Sequence, residues 1–418
     1  MVYLHLGNLK IPKRWTCHFT RGMDYVKIRR HHFYTTLRMI KMREIGINIA
    51  SQSFLNSKYY RHFQFYKKIN QTQHFLDEHG AIFNLEFSPS GNVLLAAGEE
   101  ASIVFVDPKT KKHINIISFA HNDSVKCICF CDERIFASGS DDCNLALWDM
   151  RMLDNCITTF SGHTDSVRSL VYDENSGYLV SAAFDGTVRT WDTNSLNEDS
   201  KIVYEGDLSS LYCAGVSPDG NTMVITCGFI GVIRNLDLRA IENIQLYDKP
   251  MTECIEGVVD DRLNFFEVFY PDYDYPMNPM HVVSMQFHPH GKCFACQFIA
   301  KNSLDYTAIY DVQSCQGRGK RFSHYIQEFD SAEGYMVQQS FSADGRILAS
   351  PYAQCVRLLA FNSTCSMWMK ESHPKTLQEV KIVFGHSHHV VCCKFSPSEL
   401  LLASGCLGGD ILFHEPKL

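Results

Sequence analysis

From about residue 79 onward, apolar and polar residues alternate with period two in short runs, as in Val125-Lys-Cys-Ile-Cys-Phe130 and Thr187-Val-Arg-Thr-Trp191. A period of two puts one set of side chains on a buried face and the other outside, which is the signature of strands in half-buried sheets. Small-polar turns such as Asp185-Gly186 and Asp219-Gly220 separate the runs and suit tight strand-to-strand connections. No run of about 18 uncharged apolar residues interrupts this pattern, so no segment reads as a membrane span. The pattern predicts an all-β body.

The runs repeat as a block. The segment from Ala120-His121-Asn-Asp-Ser-Val to Leu147-Trp148-Asp149 aligns with Gly162-His163-Thr-Asp-Ser-Val to Thr190-Trp191-Asp192, with His-to-Trp separations of 27 and 28 residues. His79 leads to Val106-Asp107 and His386 to Phe413-His414 at the same 27-residue offset. Blocks ending at Leu236-Asp237, Tyr310-Asp311 and Ala360-Phe361 complete a count of seven, within the usual range for propellers. Each block ends after its third strand, so the last needs an outer strand from elsewhere, and the segment from Lys68 to Phe75 is placed to supply it. Closing the ring with both chain ends removes an exposed sheet edge. The expected domain therefore spans residues 69–418.

These blocks resemble the WD repeat. That resemblance implies a hydrogen-bonded network in each complete blade, carried here by His121, Ser138, Asp142 and Trp148 and again by His163, Ser181, Asp185 and Trp191. In both sets the Asp precedes the Trp by six residues and the Ser by ten. The histidines are accordingly expected to be structural, because a buried polar group needs a partner and the network supplies one. The expected fold is a seven-bladed WD-repeat β-propeller with a basic, partly helical N-terminal arm.

Charge marks where the arm ends. The whole chain carries a net charge of -7, with 39 Lys+Arg and 46 Asp+Glu, yet residues 1–68 hold 14 basic residues against Asp24 and Glu44. An arm of +12 on a body of -19 points to an interaction segment. The 17 cysteines are scattered through strand-like runs and read as reduced core thiols of an intracellular protein, in cytoplasm or nucleus. Cys127/Cys129 and Cys392/Cys393 lack the gap and the second pair that zinc sites show, so no metal and no cofactor are expected. The N-terminus lacks the compact apolar segment of a secretory signal; its Arg- and His-rich start leaves a mitochondrial targeting piece as the alternative reading of the arm. No nucleophile elbow, phosphate-cradling Gly loop or metal pair is present, and no enzymatic activity is expected.

Trp148-Asp149-Met150-Arg151 places an Arg two positions after the Asp, a pattern that resembles the signature of substrate receptors of the cullin 4 ubiquitin ligases. The resemblance implies that Asp149 and Arg151 lie on the propeller face that meets the damaged-DNA-binding adaptor protein. A planar, permanently charged guanidinium fork suits that task. The third block departs from the signature, with Asn194 after Trp191-Asp192-Thr193, and the fourth keeps Arg239 while losing the Trp. In the arm, Leu37-Arg-Met-Ile-Lys-Met-Arg-Glu-Ile-Gly46 reads as a short helix near 36–46. Such receptors insert a helix of this kind into an adaptor pocket, which would engage Leu37, Ile40, Arg43 and Ile45. Within this class the chain is similar to the cullin 4-associated factor 10 family, through His79-Gly-Ala-Ile-Phe-Asn-Leu-Glu-Phe-Ser-Pro, Phe184-Asp-Gly, His324-Tyr-Ile-Gln-Glu and Ala403-Ser-Gly-Cys-Leu.

It departs from that family between the fourth and fifth blocks, where the family has a long serine-rich insertion and this chain a connection of about 40 residues, roughly 240–280. There the aromatic and acidic side chains, among them Phe265, Phe266, Tyr270, Tyr273 and Tyr275, suggest a surface for a client protein. The resemblance implies a non-catalytic substrate-recognition subunit that bridges the adaptor, cullin 4 and an unknown client. Two other readings stay open: a WD scaffold of a different complex, and an arm that binds nucleic-acid phosphates.

Overall fold

The computed structural model describes residues 69–76, 80–194, 200–205, 211–218, 220, 222–227, 230–235, 263–267, 280–300, 305–312, 324–328, 337–360 and 375–416. They lie within one compact unit, Phe63–Leu418. The described strands pair into seven sheets, six with four strands and one with five. The second sheet shows the plan: Val125–Phe130 is innermost, followed outward by Ile135–Ser140, Asn144–Asp149 and Thr158–Ser161, each antiparallel to the last. The period-two pattern correctly marks these as strands, yet it understates their burial. Ile135–Ser140 is buried at five of six positions and Leu94–Gly98 at all five. Each sheet packs on a neighbour at both faces, so its middle strands have no solvent side. Exposure returns in part along the innermost strands, as in Val125–Phe130, and fully at the rim, where Lys112–Ile117 is exposed at its first four positions.

Six of the innermost strands carry a register shift near their start, for instance between Val125 and Cys127, Val167 and Ser169, and Val390 and Cys392. A bulge there adds local twist, and strongly twisted sheets fan out radially around an axis. Between successive sheets lie separate apolar cores. Phe105, Phe136 and Trp148 fill one, with Phe136 stacked on Trp148 at 6.3 Å between ring centroids. Phe160, Leu179 and Trp191 fill the next. The core of Leu85, Phe87, Cys392 and Phe413 joins the last sheet back to the first.

That seam is reinforced twice. Gln338 uses both ends of its amide on Leu85, accepting from its N–H at 3.0 Å and donating to its C=O at 2.9 Å, so it imitates a strand neighbour. Lys394 Nζ reaches Glu86 at 2.6 Å. The outer strand of the last sheet is Ile69–Leu76, paired antiparallel with Asp410–Pro416, so the start of the described chain completes the sheet at its end. The architecture is an all-β propeller.

One expectation needs correction. The stretch 240–280 is not loop throughout: Leu263–Glu267 is the outer strand of the fourth sheet, with Phe265 opposite Val232 and Phe266 opposite Gly231. A five-residue strand reached through a long, irregular-looking connection has too few alternations to stand out from it. No helix occurs among the described residues, and the helix expected near 36–46 lies outside them.

Candidate functional site

The two complete blades assemble their four polar residues into relays whose direction follows from donor chemistry. Trp148 Nε1 donates to Ser138 Oγ at 2.9 Å, and Ser138 Oγ lies 2.8 Å from His121 Nε2. An indole nitrogen only donates. The serine oxygen therefore accepts from Trp148 and passes its own proton to Nε2, which leaves the His121 proton on Nδ1, 3.1 Å from Asp142 Oδ2. Asp142 also caps the turn, accepting from the amides of Asn122 and Asn144. Burial pushes its carboxyl pKa up, but the His121 bond and these amides outweigh that and hold it below the usual value. The third sheet repeats the relay with Trp191, Ser181, His163 and Asp185 at 2.8, 2.7 and 2.8 Å, and Thr187 adds a bond to Asp185. Both histidines have each ring nitrogen engaged inside a blade, so neither faces a substrate.

Arg151 and Asp149 sit elsewhere. A third strand runs in the same direction as the innermost one, so its end lies on the face opposite the loop that carries the blade histidine. Asn144–Asp149 therefore delivers Asp149 and Arg151 to the face away from His121. Arg151 donates through its backbone N–H to Asp149 Oδ1 at 2.9 Å and through Nε to the same oxygen at 2.9 Å, with a second guanidinium nitrogen on Oδ2. The Arg151 hydrogen bonds draw the Asp149 carboxyl down to about 2. The carboxylate thus holds the guanidinium while leaving its side chain 62% exposed. Beside it Met152 is exposed, a neighbour that motif reading missed because only the Arg belongs to the motif. At the equivalent turn of the third sheet the Asn194 amide makes the same bond to Asp192 Oδ1 at 2.9 Å without a guanidinium. The opposite face presents Phe119 and Phe384, 88% and 69% exposed, each two residues before a blade histidine. Sequence reading missed these as well; their only signal is a bulky aromatic in a turn position that has no core to fill.

The inner strands enclose a cavity of roughly 300 Å³ lined by Glu86, Lys126, Arg168, Met285, Gln338 and Lys394 among others. Its cations are paired. Lys394 holds Glu86, while Asp141 takes Lys126 at 3.1 Å and Arg168 at 3.7 Å and accepts from Ser124 and Ser166. Burial still raises the Glu86 carboxyl above its usual value, ahead of the opposing pull of Lys394. The only group of three metal-ligating side chains that converges among the described residues is His386, Cys406 and Asp410 in the last sheet. Of the remaining residues singled out by sequence, Leu37, Ile40, Arg43, Ile45, Arg239, Tyr270, Tyr273 and Tyr275 lie outside the described residues. Phe265 and Phe266 are placed by backbone alone, in the outer strand of the fourth sheet.

Comparison with known proteins adds an independent line. The WD domain, G-beta repeat, matches residues 113–149, 154–192 and 377–414, the last of these covering the degenerate seventh sheet. The chain is similar to the DDB1- and CUL4-associated factor 10 of Xenopus tropicalis, 32% identical over 394 residues that cover 81% of this chain and 85% of that one. The Homo sapiens protein of the same name is 32% identical over 397 residues, covering 81% and 70%. A shorter match, 28% over 131 residues, is to a DDB1- and CUL4-associated factor 11 homolog of Caenorhabditis elegans. Similarity at this level over four fifths of the chain exceeds what shared WD repeats alone require, and the chain belongs to the DDB1- and CUL4-associated factor 10 family of WD-repeat β-propeller proteins.

Proposed function

We propose that this protein is the substrate-recognition subunit of a cullin 4 ubiquitin ligase, a seven-bladed propeller over residues 69–418 preceded by a basic adaptor-binding arm over residues 1–68. The observation that carries the reading is the similarity to DDB1- and CUL4-associated factor 10 across 81% of the chain, joined to an exposed Arg151 on the face opposite the blade histidines. On this reading the Arg151 face, Arg239 and the segment containing Leu37, Ile40, Arg43 and Ile45 grip the adaptor. The opposite face, with Phe119 and Phe384, receives the client, and the aromatic stretch around Tyr270, Tyr273 and Tyr275 extends that surface. The chain does no chemistry itself. Holding a client lysine near the ligase's transfer machinery raises its effective concentration, which is sufficient for modification. Such a role belongs in the cytoplasm or nucleus.

Co-purification of the full chain with the adaptor and cullin 4 tests this. Wild type should bring down both, and Leu37→Asp with Ile40→Asp should abolish recovery while the propeller stays folded. A folded wild type that recovers neither would overturn the reading. Because the arm carries +12, salt resolves the nucleic-acid alternative: capture of RNA or DNA that collapses between low and moderate salt would reassign the arm to phosphate binding.

A further inference from the structure

The last blade departs from the two complete ones at four positions, two of which, Cys406 and Asp410, meet the blade histidine in space. Aligning Ser404 with Ser138 and Ser181 puts His414 where Trp148 and Trp191 stand, Cys406 where Ser140 and Ala183 stand, and Gly408 in place of the turn acids Asp142 and Asp185. The acid reappears two residues later as Asp410, at the position of Thr187, whose hydroxyl lies 3.2 Å from His163 Nδ1. That position therefore faces the Nδ1 edge of a blade histidine. The consequence is a buried His386, Cys406 and Asp410 whose ligand atoms lie within 4.8 Å of one another.

The relay also changes character. Ser404 Oγ is 2.7 Å from both His386 Nε2 and His414 Nε2. Where a Trp can only donate, His414 can accept. In the tautomer where His414 accepts at Nε2, Ser404 donates to His414 and accepts from His386 Nε2–H, which leaves the His386 Nδ1 lone pair for an ion shared with Cys406 and Asp410. A metal-ligating histidine needs this arrangement: one nitrogen on the ion and the other anchored by a partner that fixes the tautomer. A bound cation deprotonates a coordinating thiol.

We propose that His386, Cys406 and Asp410 form a zinc site in the last blade. Nitrogen, sulfur and carboxylate donors suit Zn²⁺, and three protein ligands leave the fourth tetrahedral position to water. On binding, Cys406 releases its proton to solvent and all three bonds to the ion are dative, with no redox change. The ion ties the loop before the innermost strand to the strand Asp410–Pro416, which pairs with Ile69–Leu76 and completes the last sheet. It acts as a clasp.

The test uses the full chain, stripped of metal and reloaded with zinc or cobalt. Wild type should retain about one zinc per chain, gain Tm on reloading, and with cobalt show visible d–d bands plus a near-ultraviolet thiolate charge-transfer band. Cys406→Ser should lose the charge-transfer band, and Asp410→Asn should retain at least tenfold less zinc, with circular dichroism reporting the fold of each. Should Cys406→Ser not fold, Asp410→Asn and wild-type stoichiometry decide. A wild type that retains no zinc, or a charge-transfer band that survives in Cys406→Ser, overturns the proposal. None of these readouts involves the adaptor, so this site and the receptor reading fail separately.

Discussion

The third and seventh sheets are built on the same plan and end their polar relays differently. In the third, Trp191 is fully buried, lies against Phe160 at 5.4 Å between centroids with the rings tilted by 40°, and anchors the Ser181–His163–Asp185 chain by donating into it. In the seventh, His414 occupies the same place, equally buried but smaller and able to accept. Spacing is conserved between the two while chemistry is not. A blade thus needs a hydrogen-bonding aromatic at that position to close its relay, and the identity of that ring decides which way the protons point and what the histidine can do with its remaining nitrogen.

Copying one sheet into the other is the most severe test of this contrast. Trp191→His puts the smaller ring into a core shaped for indole. It should destabilise the protein by about 3 kcal/mol or more, in the range of large-to-small core substitutions, as read from denaturant midpoints. A loss under about 1 kcal/mol would mean that the relay alone, and not the ring's volume, holds the blade. Ser181→Ala is expected to cost less, about 1–3 kcal/mol, because it leaves Trp191 Nε1 and His163 Nε2 without their buried partner. Ser404→Ala should fall in the same range if the seventh sheet relies on its relay equally, and the difference between the two serines measures how far the relays diverge.

A histidine outside both relays calibrates them. His288 donates from Nε2 to the Gly345 carbonyl at 2.8 Å, and its Nδ1 accepts from the His290 amide at 3.1 Å, so only the neutral ring satisfies both bonds. Burial, and to a smaller extent His290, lower its pKa to about 4, against the Gly345 bond and Asp344, which raise it. The folded value lies below the unfolded value of about 6.5, so the unfolded chain binds the extra proton. Stability should therefore decline as pH falls from about 6.5 towards 4, and His288→Gln should flatten that slope in a series of Tm measurements. An unchanged slope would assign the acid sensitivity to other groups. The smallest stability effect is expected at Arg151, where Ala substitution should leave Tm unchanged because the guanidinium is exposed and, among the described residues, its close partner is Asp149.

Much of this was legible from residue spacing. The Ser and Asp offsets before Trp148 and Trp191 identify the relay partners, because a network closed within one blade requires fixed distances along the chain. The strand donated from residues 69–76 was legible too, since a blade of three strands leaves an edge that something must cover. The His386–Cys406–Asp410 cluster was not legible. Its members are 20 and 4 residues apart, which no paired-ligand pattern captures, and only the pleat of two neighbouring strands and the loop before them brings them together. The outer strand Leu263–Glu267 was hidden for a related reason: its partner Ile230–Asn235 lies beyond a connection much longer than in the other blades. The hold of Asp149 on Arg151 was also out of reach, because the motif names the Arg while the geometry shows the Asp fixing how it is presented.

The most direct test of the account is the affinity of the full chain for the purified damaged-DNA-binding adaptor, measured by calorimetry for wild type and Arg151→Ala at equal salt. The account predicts specific wild-type binding and an Arg151→Ala variant with unchanged Tm and a Kd at least about tenfold weaker, as for a guanidinium anchor within an interface. Identical affinities for the two proteins, or no binding by a folded wild type, would contradict it.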